Sequence, residues 1–428
     1  MKRMHGYLAR VLVPIALTLG AGQAFGATVD VCLRVDQYQI PGATAPATGP
    51  FGNPTPITMW GFVQTGTGAS CTFATPAPAA TATALPIPTL TAAEGDTLII
   101  HLRNNLPAAG TPVYVAPPAV VAPAVYTEPV SVVISGQPGA LTPTWTDGTT
   151  GNRTALPQRM RSFTKETPQQ SQTDYTFGPL KAGSYLLESG THPAVQVQMG
   201  LYGVLVVRPT VAGRAYADAT SAFDSEATLL FSEIDPVLHA AIAAGTYGGA
   251  PTSSNPSDPA ALLPASWLTS TIAYHPKYFL VNGKPYTATS PSTQVGATNR
   301  KVLLRLLNAG LETKAPLVQG QYVSLIAEDG HFLTASGFTG SPPNLVAATC
   351  PAAKSQYSVL LPAGKTIDAI LVTPSTPVSI PLYDRRLNLT NNGVSPGGML
   401  AILTITATGG AATPPAPPPP CTLVGGAP

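Results

Sequence analysis

The chain has 428 residues, 10% of them charged, with a formal net charge of +2. That length accommodates two or three domains, and no basic patch or charge run suggests nucleic acid. Its 47 prolines and 40 glycines break helices, and stretches rich in Thr, Val, Ile and Tyr favour many short strands joined by turns.

The first 26 residues have the layout of a secretion signal. Lys2, Arg3 and Arg10 form a charged start, and residues 11–19 an apolar core too short to span a bilayer comfortably. Ala24-Phe25-Gly26 places small residues two apart, so cleavage is expected after Gly26. The mature protein is therefore expected to be periplasmic, cell-surface or extracellular, with no retained membrane span; an uncleaved anchor is the alternative. Cleavage removes three basic residues and no acids, which brings the net charge from +2 to −1.

The mature chain keeps Cys32, Cys71, Cys350 and Cys421. An even count in an exported chain points to disulfides, and four cysteines allow three pairings. Cys32–Cys71 is favoured because both lie early in one domain, and Cys350–Cys421 because it would pin the tail to the second domain. None sits in a C-x-x-C pair or beside a histidine, which argues against a metal or redox role.

In chain order, the first strand is expected at 29–35. A Pro/Ala/Thr-rich segment runs to about Pro88, and 90–106 reads as strand, turn at Glu94-Gly95-Asp96, strand. A Pro/Val/Ala loop, 107–129, leads to a strand at 130–135, and another at 203–208 closes the first unit. Residues 211–225, rich in Ala and small polar residues, read as a linker. The second unit, 226–406, opens with a strand at 227–233 and has one convincing helix, 236–244. A hairpin turn at Asn282-Gly283-Lys284-Pro285 follows, then strands at 301–308, 322–327, 357–361, 367–372 and 400–406. The tail, 407–428, contains Pro-Pro-Ala-Pro-Pro-Pro-Pro and is expected to be extended and exposed. Many short strands with regular turn signals imply antiparallel sandwiches, and two of them fit residues 27–210 and 226–406.

Several motifs recur in order. They are Thr58-Met59-Trp60-Gly61-Phe62, Pro88-Thr89-Leu90, Glu94-Gly95-Asp96-Thr97, Arg103-Asn104-Asn105-Leu106, and Gly183-Ser184-Tyr185 with Gly200-Leu201-Tyr202-Gly203. In the second unit they are Asn282-Gly283-Lys284, Arg305 to Gly310, Ala327-Glu328-Asp329-Gly330 and Pro362 to Ala369. As a set spanning about residues 55–406, they resemble the multicopper oxidase family. The resemblance implies an all-β chain of two cupredoxin-like (plastocyanin-like) Greek-key β-sandwiches in tandem.

The ligands that the resemblance leads one to expect are missing. Where the family has His-Trp-His-Gly, this chain has Val133-Ile134-Ser135-Gly136, so two histidine positions are Val133 and Ser135. Its second His-x-His is replaced by Glu188-Ser189-Gly190. Compared instead with the family's last domain, the second unit has Lys314, Leu317 and Gln319 before Gly320, and Asp384-Arg385-Arg386 for His-Cys-His. Valine and glycine side chains offer copper nothing, and serine and glutamate are hard oxygen donors ill matched to it. The five histidines of the mature chain, His101, His192, His239, His275 and His331, are too few and too scattered for a trinuclear cluster with a blue copper site.

The polar residues that remain admit further readings. A polar pocket could join His192, Arg385 and Arg386, with Glu188 paired to an arginine; structural ion pairs and a backbone-bonded histidine are the alternative. The basic run Arg153, Arg159, Arg161 and Lys165 is a solvated loop face or a docking loop. Ser135, Ser189 and His192 lack the G-x-S-x-G elbow of a hydrolase, and Glu328-Asp329-Gly330 is a turn and not a calcium loop. The function expected is that of an exported protein without catalytic residues, metal or cofactor. It would serve a structural or protein-binding role beside a redox protein or within an assembly. The alternatives are a copper-dependent oxidase of metal ions or phenols, with atypical or partner-supplied ligands, and a small-molecule binder.

Overall fold

A computed structural model describes residues 26–40, 56–73, 86–106, 129–139, 141–145, 160–243, 271, 274–339 and 346–407. Residues 1–25 of the secretion signal expected over 1–26, the proline-rich tail and Cys421 lie outside the described residues.

The first unit contains β1 (Thr28–Ile40), β2 (Ile57–Thr67), β3 (Thr89–Ala93), β4 (Thr97–Asn104), β5 (Val133–Ile134), β6 (Thr144–Trp145), β7 (Met160–Ser162), β8 (Gln172–Phe177), β9 (Gly183–Glu188), α1 (Pro193–Gln196) and β10 (Tyr202–Arg208). They form two facing sheets, β2-β1-β4-β8 and β3-β10-β9-β5. β1 pairs parallel with β4, and β3 with β10, so the chain crosses between sheets and does not simply meander. Alternation explains the packing: Leu98, Ile100 and Leu102 of β4 are fully buried and meet Leu205 and Val207 of β10 in one core.

The second unit contains β11 (Ser225–Ile234), α2 (Pro236–Ala243), β12 (Tyr278–Val281), β13 (Thr293–Ala297), β14 (Lys301–Asn308), β15 (Pro316–Val318), β16 (Val323–Glu328), β17 (His331–Phe332), β18 (Thr334–Thr339), β19 (Val346–Pro351), β20 (Lys354–Gln356), β21 (Thr366–Val372), β22 (Val378–Asp384) and β23 (Leu400–Thr406). A sheet β12-β11-β14-β21-β16-β17, with β20 on β16, faces a second sheet β13-β23-β22-β15. The architecture is thus two β-sandwiches in tandem. The strand expected over 130–135 is reduced to the two residues of β5. The 211–225 segment is no bare spacer: Ala215, Tyr216 and Ser221 are buried.

Two apolar clusters cross from one sandwich to the other. One joins Tyr38, Met59, Leu186 and Tyr202 to Leu230, Tyr278 and Leu307. The other joins Ala182 and Tyr216 to Leu303, Ile326 and Ile370. Between them lies a charged group without solvent access, Arg305 of β14. Its Nη1 donates to Ser184 Oγ of β9 at 2.9 Å and lies 3.6 Å from Asp368 Oδ2, while Nε donates to Glu226 Oε2 at 3.0 Å. Asp368 also accepts from Ser184 Oγ and Tyr216 Oη, both at 2.6 Å. Both sandwiches and the segment between them therefore meet at one guanidinium.

Cys32 and Cys71 form a disulfide with Cα atoms 5.6 Å apart, pinning β1 to the segment after β2. Cys350 is also disulfide-bonded, to a partner outside the described residues.

Removing one member of a buried charge pair strands the other. Arg305→Ala should therefore lower unfolding stability by about 3–5 kcal/mol. Arg386→Ala, which removes a half-exposed partner of Glu312, should cost about 1 kcal/mol or less. Urea unfolding of both variants checks the contrast.

Candidate functional site

The strand pairing brings three of the four substituted positions together. Val133 of β5 stands opposite Glu188 of β9, and Glu188 stands opposite Tyr202 of β10 on its other side. The chain then turns back at Gly190. A Cβ on Gly190 would lie 2.6 Å from Val133 Cγ1 and 3.2 Å from Ser131 Oγ. Any side chain larger than hydrogen at 190 therefore collides with Val133 unless the loop shifts.

Hydroxyl groups line the ground beside them. Thr191 Oγ1 donates to Ser131 Oγ at 2.9 Å or to Ser162 Oγ at 3.0 Å, and the two serine oxygens are 3.3 Å apart. All three side chains are buried. Glu166 Oε1 is 3.3 Å from Thr191 Oγ1 and accepts from Arg161 Nε at 3.1 Å. Ser189 Oγ donates to Gln196 Oε1 at 2.6 Å, and Gln196 Nε2 donates to Pro129 O at 2.9 Å. These groups satisfy one another, so the local chemistry is that of a closed hydrogen-bond network.

Glu188 differs from its surroundings. It is half-buried and has no ion pair or hydrogen bond from its side chain among the described residues. Burial alone pushes its carboxyl up to about 7. It is a carboxyl that changes charge near neutrality at a position where the resemblance puts a copper ligand.

Ser135, the fourth position, is exposed and lines a cleft between the sandwiches of about 330 Å³. Gly136 and Leu186 border it on one side, Asp329 and Pro362 to Thr366 on the other. Lys365 Nζ lies 2.9 Å from both Glu328 Oε2 and Asp329 Oδ2. Burial works against the ammonium, but these two carboxylates together hold its pKa above the usual lysine value. The Glu328-Asp329-Gly330 turn is thus occupied by a lysine.

Of the residues compared with the family's last domain, Lys314 and Arg386 come together in a second network. Lys314 is fully buried, with Nζ 2.9 Å from Glu233 Oε2, 3.2 Å from Glu312 Oε2 and 5.1 Å from the centre of the Phe279 ring. Arg386 Nη1 donates to the same Glu312 oxygen at 2.8 Å. Asp384 Oδ1 accepts the Ala315 amide at 2.8 Å, and the Arg385 amide donates to Ala315 O at 3.0 Å.

His192 sits apart from that network. It occupies the N-cap of α1 with φ of 40° and takes its amide hydrogen bond to Arg161 O. The structure therefore places His192 with the first-domain hydroxyl loop and Arg386 with Glu312 in the second. Of the basic run, Arg161 is paired with Glu166 and Lys165 lies over the Tyr175 ring; Arg153 and Arg159 lie outside the described residues. His101 has both ring nitrogens engaged, by Asp174 at 2.8 Å and Asp30 at 3.0 Å. His239 is buried with Nδ1 on Thr58 O, and burial lowers its pKa. Among the described residues no group of three or more His, Cys, Asp or Glu side chains could hold a metal ion.

The donor set at 133, 135, 188 and 190 does not fit copper. It has one carboxylate, one outlying hydroxyl and two positions without a donor. Sequence reasoning missed Arg305, Glu233 and Asp368, all three buried, though Arg305 and Asp368 each interrupt an apolar run within their strand. A lone charge inside such a run signals a buried partner.

No family model and no curated protein matches the sequence. Among solved structures, the chain is similar to the multicopper oxidase mgLAC, with a TM-score of 0.53 and 14% identity over 90% of this chain and 87% of that one. It is similar to the blue copper oxidase of Nitrosomonas europaea at a TM-score of 0.51 and 15% identity, over 87% and 84% of the two chains. The laccase of Botrytis aclada follows at 0.50 and 17%, over 92% of this chain and 56% of that one. The fold is that of a multicopper oxidase. The cupredoxin-like sandwiches expected from the motif order are present, and at such low identity the likeness extends to the fold alone.

Glu188 gives the site a pH signature. Its folded value of about 7 lies above the ordinary 4.5, so the folded state binds the extra proton and stability falls as pH rises through that window. Allowing for partial solvent access, the loss from pH 4.5 to pH 8 is about 2 kcal/mol. Glu188→Gln should flatten this slope, and chemical unfolding at a series of pH values reads it directly.

Proposed function

We propose that this is an exported, divergent member of the multicopper oxidase family whose copper sites have been lost, and that it serves a structural or protein-binding role. The observation that carries the reading is the close approach of Val133 to Gly190. Two positions that the resemblance assigns to imidazoles are packed against each other, with 2.6 Å between the valine methyl and the site of a Cβ. The neighbouring hydroxyls are already hydrogen-bonded among themselves, and the carboxyl of Glu188, without a side-chain partner among the described residues, is held up to about 7. The Cys32–Cys71 disulfide fits an oxidising compartment outside the cytoplasm, in keeping with the secretion signal expected over residues 1–26.

The partner in this reading is another protein, either a redox protein or a subunit of an extracellular assembly. The sandwiches present low surface charge and are joined by an apolar seam, which keeps their relative orientation fixed and suits a scaffold. A copper oxidase completed by ligands from another chain is the competing reading. Glu188 is the observation in its favour, because it is a donor without a side-chain partner among the described residues.

Copper loading separates the two. Mature protein incubated with copper and then dialysed should retain less than about one ion per chain by metal analysis and stay colourless. Two or more tightly held ions would overturn the proposal. Repeating the measurement on material co-purified with native envelope partners tests the shared-ligand reading: copper retained only in the complex would favour it.

A further inference from the structure

The second sandwich carries an aromatic pair that neither its core nor the site explains. Tyr322 and Tyr357 meet edge to face, ring centroids 5.6 Å apart at 61°, with 68% and 39% of their surfaces exposed. They stand on paired strands: Tyr322 precedes Val323 of β16, Tyr357 follows Gln356 of β20, and Val323 pairs with Gln356. The Gly320 amide reaches toward Tyr357 Oη at 3.5 Å. The rings are thus held on a sheet edge and not at a loop tip, which makes them a ready-made apolar platform.

Two features of the chain lead from this end of the sandwich. β23 ends at Thr406, whose carbonyl accepts the Thr298 amide, and the next amide, of Asn299, donates to Pro374 O. Pro374 lies just past β21, where Leu371 pairs with Val323. Thr406 therefore leaves the sheet at the end where Tyr322 stands. The second feature is Cys350, which is disulfide-bonded, while Cys421 is the one cysteine of the sequence besides Cys350 and the Cys32–Cys71 pair.

Between Thr406 and Cys421 lies Pro414-Pro415-Ala416-Pro417-Pro418-Pro419-Pro420. Pro414 stands seven residues before Cys421, and Tyr357 stands seven residues after Cys350. Seven polyproline residues at about 3.1 Å each span about 22 Å. Seven residues reach at most about 23 Å even when fully extended. Counted from the disulfide, the proline run is long enough to reach the tyrosines.

We propose that the proline-rich run of this chain's own C-terminal segment docks on the Tyr322–Tyr357 pair. Proline rings and tyrosine faces are complementary, and a polyproline segment loses little conformational freedom on docking. Anchorage by β23 on one side and by Cys350 on the other makes the encounter intramolecular, at a millimolar effective concentration. The docked run covers β20, an edge strand that pairs on one side with β16, and so blocks pairing with a foreign strand.

The test reads tyrosine accessibility. Mature full-length chain and a variant ending at Ala407 are treated with N-acetylimidazole, and acetylation at Tyr322 and Tyr357 is followed by mass spectrometry, with circular dichroism as the check on folding. Removing the tail should raise both rates by roughly fivefold, and a synthetic peptide of residues 412–421 with Cys421→Ser should restore protection at millimolar concentration. A second variant, with Pro417 to Pro420 replaced by Gly-Ser-Gly-Ser, keeps the disulfide and gives the same readout where truncation impairs folding. Equal rates in the full-length chain and the variants overturn the proposal. Protection that grows with protein concentration also overturns it, because it assigns the rings to the tail of a second copy.

Discussion

Arg305 sets the terms for the rest of the molecule. A guanidinium with no access to water has to find its counter-charges inside the protein, and it finds Glu226 and Asp368 on its own sandwich and Ser184 on the other. Ser184 belongs to β9, the strand that also carries Glu188. Asp368 belongs to β21, which begins at Thr366, and the Thr366 hydroxyl donates to Ser184 O at 2.8 Å. The position of β9 relative to the second sandwich is therefore fixed by charge and hydrogen bonding as well as by apolar contact. That fixation helps set the shape of the cleft beside Ser135 and Leu186.

The two regions that the family resemblance marks for copper are stabilised by different chemistry. In the first sandwich, neutral hydroxyls close on themselves around Thr191, and Val133 fills the space that Gly190 leaves. In the second, the Lys314 ammonium sits where the comparison puts a ligand, with carboxylates of Glu233 and Glu312 around it. An ammonium among carboxylates supplies fixed positive charge without redox chemistry, and Phe279 adds a cation–π contact. Gly310 is part of the same design: a Cβ there would lie 2.0 Å from Glu233 Oε2, so the carboxylate can reach the lysine only because residue 310 has no side chain.

Much of the fold was legible in the sequence, for physical reasons. Runs such as 98–103 alternate in and out of the core, and turns such as Glu94-Gly95-Asp96 need backbone that glycine supplies; Gly95 has φ of 89°. The helix expected at 236–244 is α2, and the turn at Asn282 has that residue at φ of 50°. The strand at 130–135 was overestimated because an apolar run of β-branched residues carries no signal of where pairing stops. The site was legible only as a set of substitutions. That Val133 and Glu188 are cross-strand neighbours depends on register, and that Ser135 faces the other sandwich depends on domain packing. Neither is encoded in local pattern. Lys314 and Arg386 meet at Glu312, a network other than the pocket expected around His192, Arg385 and Arg386, since which cation meets which acid is decided by contacts distant in sequence.

In the proposed reading, this sandwich has given up a metal that would cross-link strands and loops, and other bonds must hold the same loops. The hydroxyl cluster does so through backbone as well as side chains. Ser162 and Thr191 form an isolated bridge, the Phe163 amide donates to Gly190 O at 3.0 Å, and the His192 amide donates to Arg161 O at 3.1 Å. The 160–163 segment is thereby laced to the 190–192 loop along both edges, with Thr191 between them. In the proposed reading, this lacing is what lets the β9–β10 connection keep its path without a central ion. It also explains why Glu188 can go without an ion pair among the described residues. The loop's order is secured by neutral bonds on the far side of Gly190, so the carboxyl is free to remain protonated when folded, and its titration changes stability without being required for the fold.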